Sequence, residues 1–162
     1  MSKPLITRQG YLLLKQELDE LWTKERPEVT KKVSWAASLG DRSENADYQY
    51  NKKRLREIDR RLHYLRKRIA ALQVVDYSPQ QEGRVFFGAW VSVENNEGEQ
   101  RQFRIVGVDE IYQQKNWISN ESPMASALLG KSLGDEALVQ TPHGIVSWWI
   151  ERIHYHDHCE PE

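Results

Sequence analysis

Residues 48–72 read YQYNKKRLREIDRRLHYLRKRIAAL, and this stretch decides the fold. Within it Tyr48, Asn51, Leu55, Ile58, Leu62, Leu65, Ile69 and Leu72 alternate at spacings of three and four, a seam lasting more than three heptads. That period predicts one long helix needing a partner along its apolar edge. The partner lies upstream. Thr7 is placed to cap a helix opening at Arg8-Gln9-Gly10, and Leu14, Leu18 and Leu21 recur at helical spacing. Trp22, Val29, Val33 and Ala36 continue the stripe, and Pro27 inside the run predicts a bend or a local break. Leu39-Gly40 ends it, with Gly40 suited to the left-handed position after a helix. Only the residues from about Gly40 to Ser43 join the two runs, and short connections make antiparallel neighbours. Residues 8–75 are therefore expected to form an antiparallel helical hairpin. Arms of roughly 30 residues would each be about 45 Å long.

Beyond Tyr77 the period changes. Ser78-Pro79-Gln80-Gln81-Glu82-Gly83 reads as a linker, followed by the apolar run Val85-Phe86-Phe87. Ala89–Val93 and Gln102–Val106 flank a loop, Glu94–Glu99, that suits a β-hairpin. Ala137–Gln140 and Ile145–Ile150 flank Thr141-Pro142-His143-Gly144, a second one. Pro123–Leu129 predicts a short helix opened by Ser122 and closed by Gly130. The expected class is α+β: a helical hairpin over residues 1–77, then an antiparallel sheet with one short helix over 78–162.

The chain has 162 residues, 39% hydrophobic and 29% charged, with a net charge of −1. That balance disfavours a single large core and favours much exposed charged surface. The charge is unevenly divided, +6 over residues 1–77 and −7 over 78–162. A basic half joined to an acidic half suggests modules with different partners. The apolar runs are too short to span a bilayer, and the first residues lack a secretion signal. Together with one cysteine, Cys159, these features lead us to expect a cytoplasmic protein with no membrane partner.

The turn of the hairpin reads Leu39-Gly40-Asp41-Arg42-Ser43-Glu44-Asn45-Ala46-Asp47-Tyr48. Asp41 and Glu44 admit two readings. One is a capping box, with Asp41 as N-cap and Glu44 satisfying free amides of the next helix. The other is chelation: Mg²⁺ takes hard oxygen ligands and often sits on one or two carboxylates plus phosphates and water. Two exposed carboxylates are too few to hold it alone, so they would complete a site offered by another macromolecule. Both roles are compatible.

From Lys52 to Arg68 nine basic residues face only Glu57 and Asp59. Lys52, Lys53, Arg56, Arg60 and Arg61 lie in this run, and Lys53, Arg56, Arg60 and Lys67 have the spacing of one helix face beside the seam. A solvated coil surface is one reading; the excess of one sign favours salt-dependent contact with a phosphate backbone.

The segment Ala37–Tyr48 resembles the tip signature of the Gre family of bacterial transcript cleavage factors. The resemblance extends over nearly the whole chain. It takes in Pro4-Leu5-Ile6-Thr7 and Gly10-Tyr11 near the start and, near the end, Gly134-Asp135, Val139 and Thr141-Pro142-His143-Gly144. Residues 51–61 and 76–83 resemble its GreB subgroup. The resemblance implies an FKBP-like C-terminal domain that docks on bacterial RNA polymerase, and a coiled coil that enters the polymerase's secondary channel. It also implies an accessory role rather than an enzyme. Asp41 and Glu44 would help bind a second Mg²⁺ shared with the polymerase active site, with no tightly bound cofactor of the chain's own. Ser43 would orient RNA or water, and the polymerase would cut backtracked nascent RNA, rescuing arrested complexes. The basic run would hold the extruded 3′ segment, a wide patch favouring longer segments.

Glu121, Ser122 and Pro123 would belong to the loop that docks on the channel rim, although Ser122-Pro123 also reads as a plain helix start. Glu121 stands where the GreB pattern has Asp, which keeps the charge on a longer arm. The factor is expected to act as a monomer. A channel binder that regulates polymerase without cleavage is the alternative, and a self-sufficient Mg²⁺ nuclease is disfavoured for want of further clustered ligands. His154, His156 and His158 with Cys159 read either as a metal-binding tail or, more simply, as a polar terminus. Trp148 and Trp149 need no ligand, and His63 is an ordinary surface residue.

Overall fold

The computed structural model describes residues 3–40, 42 and 44–155. By contact they divide into a helical unit, Tyr11–Leu72, and a sheet unit made of Met1–Gly10 and Gln73–Glu162.

The first arm of the helical unit is α1 (Arg8–Glu20), a π-helical stretch (Leu21–Glu25) and α2 (Arg26–Ala37); the second is α3 (Ala46–Ala71). The expected seam is present. Leu14, Leu21, Val29 and Ala36 are buried on the first arm, and Tyr48, Ile58, Leu62 and Leu65 on α3. Trp22 departs from it: the side chain is half exposed, with the guanidinium groups of Arg26 and Arg66 5.7 and 4.9 Å from its ring centroid. The local break expected at Pro27 is present: the α-helix gives way to the π-helical stretch, and Pro27 lies in the first turn of α2 directly after it, where the Arg26 N–H reaches back to the Leu21 carbonyl. A proline lacks an N–H and crowds the carbonyl four residues earlier; the widened turn absorbs that misfit. Among the described residues, ion pairs Arg26–Asp59 (2.7 Å), Arg54–Glu25 (2.9 Å) and Arg61–Glu17 (2.7 Å) join the arms. Exposed pairs of this kind contribute at most about 1 kcal/mol each. Their role is to favour one register of the arms.

In the sheet unit, β1 (Leu5–Thr7) pairs in parallel with β2 (Gln73–Val75). Parallel neighbours need a long crossover, and here the entire hairpin is that crossover. Ile6 is fully buried, so the chain start and residues 73–77 group with the sheet, and the expected boundary at 77 shifts to Gly10 and Gln73.

Five further strands, β3 (Trp90–Asn95), β4 (Gln100–Val106), β5 (Trp117–Ser119), β6 (Glu136–Thr141) and β7 (Gly144–His154), form a sheet in the order β5-β4-β3-β7-β6. The sheet is mixed rather than antiparallel as expected, because β5 runs parallel to β4 after the connection through residues 107–116. Both expected hairpins form. In the first, Asn95 Oδ1 accepts the Glu97 and Glu99 amides and Gly98 takes a positive φ of 79°. Glu151 is the extra residue of a bulge on β7, opposite Ser92 and Val93.

Val85–Phe87 is not a strand, although Val85 is fully buried. The Ser78–Gly83 segment is more ordered than a linker. Pro79–Gln81 makes a 3₁₀ turn closed by a capping box, in which Gln81 Oε1 accepts the Ser78 amide. The short helix α4 (Pro123–Leu128) contributes Ala125 and Leu128 to a core with Val91, Ile105, Val139, Trp148 and Ile150. Trp149 is half buried. Among the described residues no helix is long and apolar enough to cross a membrane.

Candidate functional site

Among the described residues, Gly40 and Asn45 shape the turn between α2 and α3. α2 closes at Ser38, and Gly40 takes a φ of 118°, a conformation costly for any side chain. α3 begins at Ala46, and its N-cap is Asn45: the side-chain oxygen accepts the Tyr48 amide at 3.0 Å. The Asn45 side-chain Nδ2 donates to the Ala36 carbonyl at 2.6 Å, tying the end of α2 to the start of α3. This corrects the capping-box reading at Glu44, while its Asp41 part lies outside the described residues. Glu44 precedes the N-cap, so it is not in the helix and caps nothing there. Its side chain is exposed and makes no hydrogen bond among the described residues. Asp41 and Ser43 lie outside the described residues.

Arg42, between them in sequence, is held twice. Gln49 Nε2 donates to its carbonyl at 2.8 Å, and its guanidinium lies 5.5 Å from the Tyr48 ring centroid. Lys52 approaches the same ring at 5.2 Å and donates to the Tyr48 hydroxyl at 2.9 Å. That hydrogen bond, helped by the charges of Lys52 and Arg42, holds the Tyr48 phenol below its usual range despite burial. Sequence reading placed Tyr48 in the seam and missed this role; the four-residue step to Lys52 was its visible sign. Asn45 and Gln49 were missed altogether.

The basic run resolves into two sets. Arg54 and Arg61 are turned to the first arm and engaged by Glu25 and Glu17, Arg61 through both Nε and Nη2. Lys52 is engaged by Tyr48. Lys53, Arg56, Arg60 and Lys67 are exposed, without a partner among the described residues, and His63 lies in line with them. Each stands two residues before a seam position, about 200° around the helix at 3.6 residues per turn. The stripe therefore lies on the far side of α3 from α2, not beside the seam.

In the sheet unit Ser122 caps α4 by accepting the Ala125 amide at 3.3 Å, with Pro123 in the first turn. Glu121 is exposed just before it. Of the His-rich tail, His156, His158 and Cys159 lie outside the described residues, and His154 stacks on Trp90 with centroids 6.1 Å apart. No cluster of three or more metal-ligating side chains occurs among the described residues.

A helical hairpin that crosses between two parallel strands of a sheet unit, with an acid-bearing turn at its end, has clear counterparts. Residues 4–74 match the transcription elongation factor N-terminal family, and residues 80–155 match the GreA/GreB transcription elongation factor C-terminal family. The chain is 63% identical over 155 residues to transcription elongation factor GreB of Pseudomonas putida, covering 96% of both chains. It is 62% identical over 156 residues to transcription elongation factor GreB of Vibrio cholerae, covering 96% of this chain and 97% of that one. The Gfh1 protein of Thermus thermophilus, a GreA factor homolog, is 25% identical with a TM-score of 0.43, over 94% of this chain and 99% of that one. The chain belongs to the GreA/GreB family of transcription elongation factors.

Proposed function

We propose that this elongation factor binds bacterial RNA polymerase, inserts its helical hairpin into the secondary channel and stimulates the polymerase's own cleavage of backtracked nascent RNA. The observation that carries the reading is the cap of α3. Asn45 supplies the acceptor that the helix start needs, and Glu44 is exposed with no hydrogen-bond partner among the described residues. A carboxylate in that state fits a hard cation, while two acids alone are too few to retain one. The proposed site is accordingly shared, with Asp41 and Glu44 holding a Mg²⁺ ion whose other ligands belong to the polymerase and the RNA. Bound there, the ion supplies charge stabilisation for phosphodiester hydrolysis and lowers the pKa of a coordinated water.

The chain's own residues deliver and orient. α3, of 26 residues, is about 39 Å long at 1.5 Å per residue, which suits a narrow passage. Ser43 orients RNA or water beside the acids. Lys53, Arg56 and Arg60 contact the extruded 3′ segment through its phosphates, with Lys52 and Arg61 flanking them. The loop at Glu121, Ser122 and Pro123 docks on the channel rim. The factor acts as a monomer in the cytoplasm, as an accessory to the polymerase with no nuclease activity of its own.

The test is Asp41→Asn and Glu44→Gln in halted, backtracked polymerase complexes. Since Asn45 caps α3, both variants should keep their thermal stability and their affinity for polymerase. Stimulated cleavage should fall on the order of a hundredfold, the scale of losing one charged stabiliser in an active site. Cleavage at the unmodified rate in both variants would reject the shared-metal role.

A further inference from the structure

We infer that Gln49 and Tyr48 are positioning residues that set the acid-bearing turn for catalysis, by clamping Arg42 at both its backbone and its side chain. The inference rests on the cleavage role proposed above and goes beyond it. Gln49 and Tyr48 stand in the first turns of α3, on a backbone fixed by the Asn45 cap. From there Gln49 Nε2 takes the Arg42 carbonyl at 2.8 Å, and the Tyr48 ring takes its guanidinium at 5.5 Å. Arg42 is the residue that separates Asp41 from Ser43 in the chain, so a restraint on its carbonyl restrains the peptide unit leading directly into Ser43.

The Gln49 side chain is exposed, and among the described residues its hydrogen bond is to Arg42, so a helix-forming role alone does not require an amide there. Tyr48 is different. Its ring is buried against the arms, yet its hydroxyl and one face are given to Lys52 and Arg42. Lys52 braces the ring from the hydroxyl end, which fixes the surface on which Arg42 rests. The hold therefore falls on Arg42, the described residue between the two candidate site positions. Catalytic groups displaced by about 1 Å commonly lose up to a hundredfold in rate, so a restraint on this turn has something to protect.

The experiment compares Gln49→Ala, Tyr48→Phe and Asp41→Asn with the unmodified chain in backtracked polymerase complexes. Three quantities are read: the maximal cleavage rate at saturating factor, the factor concentration giving half that rate, and the Mg²⁺ concentration giving half that rate. Gln49→Ala should lower the maximal rate about tenfold and raise the Mg²⁺ requirement, with the half-saturating factor concentration unchanged. Tyr48→Phe keeps the ring for Arg42 and should lose less. A Gln49→Ala rate within twofold of the unmodified chain overturns the clamp, as does a loss that appears only as weaker factor binding. If Gln49→Ala is unaffected while Asp41→Asn is inactive, the clamp alone fails. If both are unaffected, the cleavage role fails with it. A merely structural part for Gln49 would change thermal stability without moving the Mg²⁺ dependence.

Discussion

Glu110 accepts both the backbone amide of Thr7, at 2.7 Å, and its hydroxyl, at 2.5 Å, across 103 residues of sequence. The same carboxylate accepts the Gly107 amide at 2.9 Å, and the Thr7 hydroxyl oxygen in turn accepts the Gly10 amide that opens α1. One fully buried acid thus joins β1, the start of the first helix and the connection after β4. Burial pushes its pKa up, opposed by the hydrogen bonds from Thr7 and Gly107 and by the charge of Arg104. With a folded pKa above the unfolded one, its contribution to stability is fullest below the unfolded value and is lost as pH rises through the folded one. Glu110→Gln should therefore remove part of the fall in melting temperature as pH rises above the ordinary carboxylate range. The fold should survive, because the amide oxygen can take both backbone donors while its NH₂ donates to the Thr7 hydroxyl. Glu110→Ala leaves buried donors unmet and should cost about 3 kcal/mol or more in urea unfolding at any pH.

Gly10 and Gly107 tolerate no side chain, for reasons of contact rather than backbone angle. A Cβ at Gly10 would lie 1.9 Å from Glu110 Oε1, and one at Gly107 would lie 1.9 Å from the Leu5 carbonyl oxygen. In an open helix position Gly→Ala is worth roughly 0.5–1 kcal/mol of added stability. At Gly10 the sign should reverse, to a loss of about 1–3 kcal/mol from overpacking. Gly107→Ala should lose at least as much, because a backbone carbonyl cannot move aside as a side chain can. Chemical denaturation of both variants checks the sign.

Asn45 performs two tasks that substitutions can separate. Asn45→Asp keeps the acceptor for the Tyr48 amide and loses the donor to Ala36, while Asn45→Ala loses both. Loss of the cap alone costs about 1 kcal/mol. Asn45→Ala should therefore be the less stable variant, with added amide exchange at Tyr48 that Asn45→Asp does not show.

The sequence carried the hairpin because its seam repeats over many turns, and each of Ile58, Leu62 and Leu65 reports the same period independently. It carried the Ser122 cap, the Thr7 cap and the two β-hairpins because each is a local pattern. What it could not carry depends on contacts distant in sequence. β5 is three residues long, too short for alternation to register, and exists because Arg104 and Ile105 pair with it. Glu110 reads as one acid among many until Thr7 is brought beside it. At the hairpin turn Asp41, Ser43 and Asn45 are all competent caps within five residues of sequence. Among the described residues it is Asn45 that takes the cap, and its side-chain NH₂ also donates to the Ala36 carbonyl. The acids themselves were legible; that Asn45 rather than Glu44 serves the start of α3 was not.

The division of the basic run into engaged and open residues separates two kinds of arginine. Arg61 is tied to Glu17 by two hydrogen bonds, of 2.7 and 3.0 Å, so Arg61→Ala should disturb the pairing of the arms slightly, by less than about 1 kcal/mol. Lys53, Arg56 and Arg60 have no such partner among the described residues and lie along one exposed line of α3. Neutralising these three together should leave the melting temperature nearly unchanged. If each meets one phosphate of single-stranded RNA, the logarithmic salt dependence of binding to extruded RNA should fall by about 0.7 per residue, near 2 in all. The loss should be greater for complexes with long extruded segments than for short ones, because only a long segment reaches Arg60 from the turn. Cleavage of both substrates at increasing potassium chloride measures this directly; equal loss on short and long segments would mean that the stripe serves the polymerase surface instead.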